Sequence, residues 1–257
     1  MSTFHQTGKY EWIDAEGASL ALICQIDHFS WGQRFLWENG IDHGKFNFIR
    51  PLDNDIDENQ FCLMIEEQGV YFREHSKTLH IKISDSIFPT PPKFLSKYNA
   101  TGSPLISILI RHNLLPRLET QKSISIRECK TANDLESFIR VNASGRGWPL
   151  DNYMYNAFRQ SFGNSSQDAT YYLLCIDEEP ACTARINHFG NKFNLGLLAT
   201  HKDFQRRGLM HYINLWLAEE LKKDFYVQVN DDEPSYFYYS KLPGAEIVNT
   251  EVKYTAE

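Results

Sequence analysis

Gln205-Arg206-Arg207-Gly208-Leu209-Met210 places two adjacent cations beside a glycine, at the point where the hydropathy pattern changes from strand to helix. Before it, Leu195, Leu197, Leu198 and Ala199 form an apolar run that reads as a buried strand. After it, Leu209, Tyr212, Ile213, Trp216, Leu217 and Leu221 recur at helical spacing. A helix that opens on Gly208 offers backbone N–H groups without intrahelical acceptors, at the positive end of its dipole. With Arg206 and Arg207 beside them, those groups suit a phosphate or pyrophosphate. The missing Cβ at Gly208 lets an anion approach the backbone. The plainer reading is a basic strand-to-helix turn with no ligand.

The flanking sequence supplies elements to position such a loop. Ile124–Cys129 alternates like a strand, and Thr131–Asp134 caps a helix through Leu135, Phe138, Ile139 and Val141. Gly145–Pro149 breaks that helix, and a second one is expected from Leu150 to Phe162. Tyr171–Ile176 and Ala181–Phe189 read as a hairpin around Asp177–Pro180, followed by a strand from Phe193 to Thr200. Phe225–Val229 is a further strand, Pro234–Leu242 a short aromatic helix, and Ala245–Val248 and Glu251–Tyr254 two closing strands.

At these residues the chain resembles the GNAT superfamily of acyl-CoA-dependent N-acyltransferases. The family's Gln/Arg-x-x-Gly-x-Gly/Ala loop stands here as Gln205 to Met210, with Met210 where a small residue is usual. Ala199-Thr200-His201-Lys202-Asp203-Phe204 follows the family's run into that loop. The aromatic helix is similar to a second family pattern, with Asp232, Ser235, Tyr238 and Tyr239 aligned ahead of Gly244. The resemblance covers residues from about 122 onward. It implies a mixed, mostly antiparallel α/β (α+β) sheet flanked by helices, and acetyl-CoA as cosubstrate with no metal. It implies coenzyme contacts at Leu198, Ala199, Thr200, Gln205 to Met210 and Asp232, with a strand N–H near Leu198 to Thr200 polarising the thioester. Tyr239 takes the position of the acid that protonates the leaving thiolate, and a phenol near pKa 10 is a credible acid towards a thiolate near 8.5. Its other reading is a packing tyrosine within the Tyr236–Tyr239 cluster. The loop joining the first two helices borders the acceptor channel in the family, which marks Arg146 and Trp148 as substrate-binding residues. His188, His201 and Asp203 read better as surface or structural residues than as the general base, and none is assigned.

The 257 residues allow one large domain or two modest ones. A boundary is expected in Pro116–Ser123, separating a divergent domain, 1–120, from the acyltransferase domain, 121–257. A net charge of -7 and no long basic run argue against nucleic acid as a partner. No segment is long and apolar enough to suggest a membrane span, and no signal peptide is read at the N-terminus. The five cysteines show no metal-ligand spacing, and their number and apolar settings favour the cytoplasm. Oligomeric state is not legible.

The first half carries no motif. Ala18–Ile26 fits strand or helix, and Phe61–Ile65 with Gly69–Phe72 reads as a hairpin around Glu66-Glu67-Gln68. Leu79–Ile83 reads as a strand, Lys93–Tyr98 and Pro104–Leu114 as helices, and Asp53–Glu58 as a solvated loop. This order is compatible with a degenerate second GNAT-like copy, although no second Gln/Arg-x-x-Gly loop is present. The functional expectation is acetyl transfer from acetyl-CoA to a primary amine on a small molecule or peptide, by direct attack. The alternative is a non-catalytic acyl-CoA-binding or scaffolding protein. Aminoacyl transfer from tRNA on a tandem scaffold is disfavoured by the acidic pI.

Overall fold

The computed structural model describes residues 11–256, apart from 39, 41, 43, 120, 148, 149, 151 and 164–168, and gives only the backbone of 94 and 152–154. Two compact units emerge, and neither is contiguous in sequence. The larger takes α1 (Glu11–Leu20), Leu109–Gln228 and Tyr239–Glu246; the smaller takes Ile23–Ile108, Val229–Tyr238 and the chain from Ile247 onward. A single cut near residue 120 therefore differs from the physical division, because both ends of the chain pack away from their sequence neighbours.

In the smaller unit, β1 (Gln25–Phe29), β2 (Gly32–Leu36) and β3 (Phe48–Pro51) pair antiparallel in turn, and β3 runs parallel to β4 (Leu79–Ser84). The crossover that parallel pairing requires is α2 (Glu58–Glu74). That helix replaces the expected hairpin. Phe61, Met64, Ile65, Gln68 and Phe72 fall on one buried face at helical spacing, and the Asp57 carboxylate caps the first turn by accepting from Gln60 N–H. β5 (Asn99–Ala100) is short, and Leu105–Ile110 forms β6 rather than a helix, as a run rich in β-branched isoleucine favours. Lys93–Lys97 is a 3-10 turn. The closing segment is one strand, β12 (Ala245–Ala256), not two; it lies antiparallel to β4 from Glu251 to Ala256.

The larger unit orders its strands β11-β10-β9-β8-β7. These are β7 (Ile124–Glu128), β8 (Ala169–Ile176), β9 (Glu179–Phe189), β10 (Lys192–Thr200) and β11 (Phe225–Asn230), antiparallel except for the β10–β11 pair. Helices α3 (Ala132–Arg146), α4 (Asn152–Gly163) and α5 (Leu209–Leu221) complete it, whereas α6 (Pro234–Tyr239) belongs to the smaller unit up to Tyr238. A reciprocal cap between Thr131 and Asp134 starts α3, and Gly147 in the left-handed region (φ 66°) ends it. Phe138, Ile139, Phe158, Tyr171 and Leu173 form a buried cluster between α3, α4 and the sheet, with Leu197 of β10 packed against it. The mostly antiparallel sheet flanked by helices is the expected fold class. No described helix is long and apolar enough to cross a membrane.

Candidate functional site

The Gln205–Met210 segment folds as the strand-to-helix turn its sequence implies. Gly208 is the N-cap of α5 at φ 74°, and no side chain caps it. The first intrahelical bond runs from Tyr212 N–H to Gly208 C=O, so the N–H groups of Leu209 and Met210 have no acceptor in the helix. A Cβ built on Gly208 would meet nothing within 4 Å, so the space in front of the helix terminus is open. Arg206 also lies in the left-handed region, at φ 63°, and is exposed without a hydrogen bond or ion pair among the described residues. Arg207 instead lies over the Phe204 ring, 5.1 Å from its centroid, and donates to Asp203 C=O at 3.3 Å. Gln205 anchors the loop by donating to the carbonyls of Gly145 and Thr200, both at 3.4 Å.

β10 breaks its register just before this loop. Gly196 pairs with Arg185 and Ala199 with Thr183, and the shift between them is a bulge with Leu197 at φ 48°. A bulge leaves its extra residues out of the ladder and re-aims the local peptide groups. Here the carbonyls are each held from one side. Leu197 C=O accepts from Asn142 and Thr183, Leu198 C=O from Arg146 at 3.2 Å, and Ala199 C=O from Thr183 at 3.3 Å. Gly145 brings α3 onto this strand end: a Cβ there would lie 2.5 Å from Thr200 C=O, a contact that only glycine permits. On its other edge, β10 pairs with β11 only at Phe193–Leu195.

The structure thus brings together Leu198, Ala199, Thr200, Gln205, Arg206, Arg207, Gly208, Leu209 and Met210, and adds Arg146 as the donor to Leu198. Trp148 lies outside the described residues. Asp232 is exposed in the turn between β11 and α6. Tyr239 is 2% exposed, and its hydroxyl oxygen accepts from Asn214 Nδ2 of α5 at 3.1 Å. Burial pushes the Cys129 thiol up to about 12 and the Cys182 thiol to about 11, so neither is a thiolate nucleophile near neutral pH. Sequence reading missed Asn142, Thr183 and Asn214. For the two asparagines the signal was present: each is a polar residue at a position whose helical period calls for an apolar one.

The sequence matches no protein-family model and no curated protein. Its fold has many solved counterparts. A GCN5-related N-acetyltransferase from Kribbella flavida matches with a TM-score of 0.73 at 14% identity, over 97% of this chain and 96% of that one. A functionally unknown conserved protein from Staphylococcus epidermidis ATCC 12228 matches at 0.67 and 12% identity, over 90% and 92% of the two chains. A tandem GNAT protein from the clavulanic acid biosynthesis pathway matches at 0.62 and 12% identity, over 95% of each chain. At these identities the likeness establishes fold alone: the chain has the GNAT fold. Coverage of nearly the whole chain places both units within that likeness, not only the one that carries the loop.

Proposed function

We propose that the protein is an N-acyltransferase that moves an acetyl group from acetyl-CoA to a primary amine. The observation that carries this reading is the bulge of β10 set directly before an uncapped helix terminus. An anion site and a re-aimed strand thereby lie within a few residues of each other. The loop fits a pyrophosphate: it has open space at Gly208, outward N–H groups at Leu209 and Met210, and the Arg206 cation. The β10 edge beyond Leu195 has no β11 partner and offers backbone groups to the two amides of a pantetheine arm.

Acetyl-CoA supplies a thioester, whose carbonyl oxygen develops charge as the amine attacks. N–H groups of the bulge near Leu198 stabilise that charge, and they are pre-organised because Asn142, Thr183 and Arg146 already hold the neighbouring carbonyls. The amine nitrogen bonds to the carbonyl carbon, the carbon–sulfur bond breaks, and the thiolate takes a proton while the nitrogen loses one. Tyr239 is the proposed acid; the Asn214 bond uses its oxygen as acceptor and orients the O–H. The test is release of free thiol from acetyl-CoA with a panel of primary amines. Turnover that needs both substrates supports transfer. Coenzyme binding without turnover would favour an acyl-CoA-binding or scaffolding role.

A further inference from the structure

Arg185 of β9 is 7% exposed and has no carboxylate partner among the described residues. Its hydrogen-bond partners are hydroxyls alone: Ser161 of α4 at 3.3 Å, Ser19 of α1, and Tyr171 of β8. Its Nε has no hydrogen-bond partner among the described residues. Burial works against the charge and lowers the guanidinium's pKa. Two residues along the same strand face, Asn187 is fully buried with both side-chain polar atoms unpaired, and Asn142 of α3 leaves its Oδ1 unpaired. Native structures satisfy such atoms or use them. A buried cation without a counter-ion is among the costliest groups a core can hold.

The placement of this cluster gives it a use. Arg185 stands opposite Gly196, the last residue of β10 in register before the bulge, and a Cβ on Gly196 would lie 3.4 Å from Arg185 Nη2. Gly196 is itself half-buried, so this end of the guanidinium lies under an accessible strand segment.

We infer that Arg185 is a carboxylate site beside the bulge of β10, and that one of the two reacting substrates carries the carboxylate. The guanidinium fork matches a planar carboxylate, and bound anion supplies the counter-charge that the fold withholds. This inference rests on the acyl-transfer reading and narrows its substrate class. The carboxylate comes either on the acceptor, as in an amino acid, or on the acyl group, as in succinyl-CoA.

Two arms separate those sources. In one, acetyl-CoA is offered with several amino acids, each against its own carboxamide. In the other, succinyl-CoA is compared with acetyl-CoA on one neutral amine. Wild type is expected to favour the carboxylate form in one arm by at least about 30-fold in kcat/KM, with that preference falling to within about threefold of unity in Arg185→Met. Arg185→Lys keeps the charge but loses the fork, and should give a preference about tenfold below wild type. No preference in either arm of the wild type overturns the inference. So does a preference that survives Arg185→Met, or Arg185→Lys if the methionine variant does not fold. A melting temperature that moves while the preference stays marks a site filled by buried water. If no pair releases thiol, the transfer reading fails on its own. Succinate and alanine are then tested by thermal shift: a rise in wild type that Arg185→Met abolishes sustains the carboxylate site, and an equal or absent rise ends it.

Discussion

Arg50 in the smaller unit and Arg185 in the larger are both strand arginines withdrawn from solvent, and their surroundings differ in one respect. Arg50 is 0% exposed and meets the Glu251 carboxylate through two nitrogens, at 2.7 and 3.2 Å, beneath the Phe35 and Phe48 rings. Among the described residues Arg185 meets only hydroxyls. A charge neutralised within the fold is a finished structural part, because taking it out of water is offset by a partner already in place. A charge left without one stays costly until something from solution completes it. The units divide likewise in their strands. β4 and β12 of the smaller keep a continuous register over Leu79–Ser84, whereas β10 of the larger breaks its own at Gly196.

The largest effect that can break this comparison is expected from Tyr239→Phe. If the hydroxyl protonates the leaving thiolate, kcat should fall about 10²–10⁴-fold. The fold should also weaken by about 1–3 kcal/mol, because Asn214 Nδ2 loses its buried acceptor. Steady-state kinetics with a urea titration separates the two. Loss of stability with turnover intact would reduce Tyr239 to a packing residue. Next in size, Glu251→Gln should cost about 3–5 kcal/mol by leaving Arg50 uncompensated in the core. The paired change Arg50→Met with Glu251→Leu should restore most of that loss. If Glu251→Gln is nearly neutral, the contrast between the two arginines has been misread.

The larger unit was more legible in sequence than the smaller, for physical reasons. Residues 195–221 announce strand, loop and helix, because a glycine and two arginines interrupt an otherwise clean change of period. The segment 58–74 misled because Glu66-Glu67-Gln68 resembles a turn between apolar runs. Only the i, i+3, i+7 spacing of Phe61, Met64 and Gln68, with Asp57 as cap, identifies the helix. Pro104–Leu114 has the apolar content of a helix, but Ile106, Ile108 and Ile110 favour the strand that forms. The assignment of α1 and β12 to units remote in sequence follows from tertiary pairing, which no local pattern encodes. Of the site, the loop was visible and its supports were not. Asn142, Thr183 and Arg185 act by where they meet β10, and a sequence shows their polarity without their target.

A smaller effect tests the loop itself. Coenzyme A at about 100 times its dissociation constant should add roughly 2.7 kcal/mol of stability to the wild type. Gly208→Glu should remove that increment, since it puts bulk and negative charge into the open space before α5 and forces an L residue to φ 74°. Melting curves with and without coenzyme read it directly. An increment that survives in Gly208→Glu would place the coenzyme elsewhere and leave the helix terminus an ordinary turn.

The smallest effect concerns the start of α3, the helix that carries Asn142, Gly145 and Arg146 to β10. Burial alone would raise the Asp134 carboxyl, but hydrogen bonds from the Arg127 guanidinium, the Thr131 hydroxyl and the N–H groups of Lys130 and Thr131 hold it well below the usual carboxylate value. The direction of that shift fixes the sign. Near pH 4 the unfolded chain takes up a proton that the folded chain refuses, so the stabilisation is complete above about pH 5 and drains away as pH falls towards the folded value. The Arg127 end of the pair is half exposed, so solvent screens it and added salt should shrink the effect. Asp134→Asn should therefore be less stable at pH 7 and flatter between pH 5 and 3, as read from urea midpoints across that range. Parallel curves for the two proteins would show that the cap does not hold α3 in place. The positioning of Asn142 and Arg146 on the bulge would then rest on the Phe138 cluster and the close approach at Gly145.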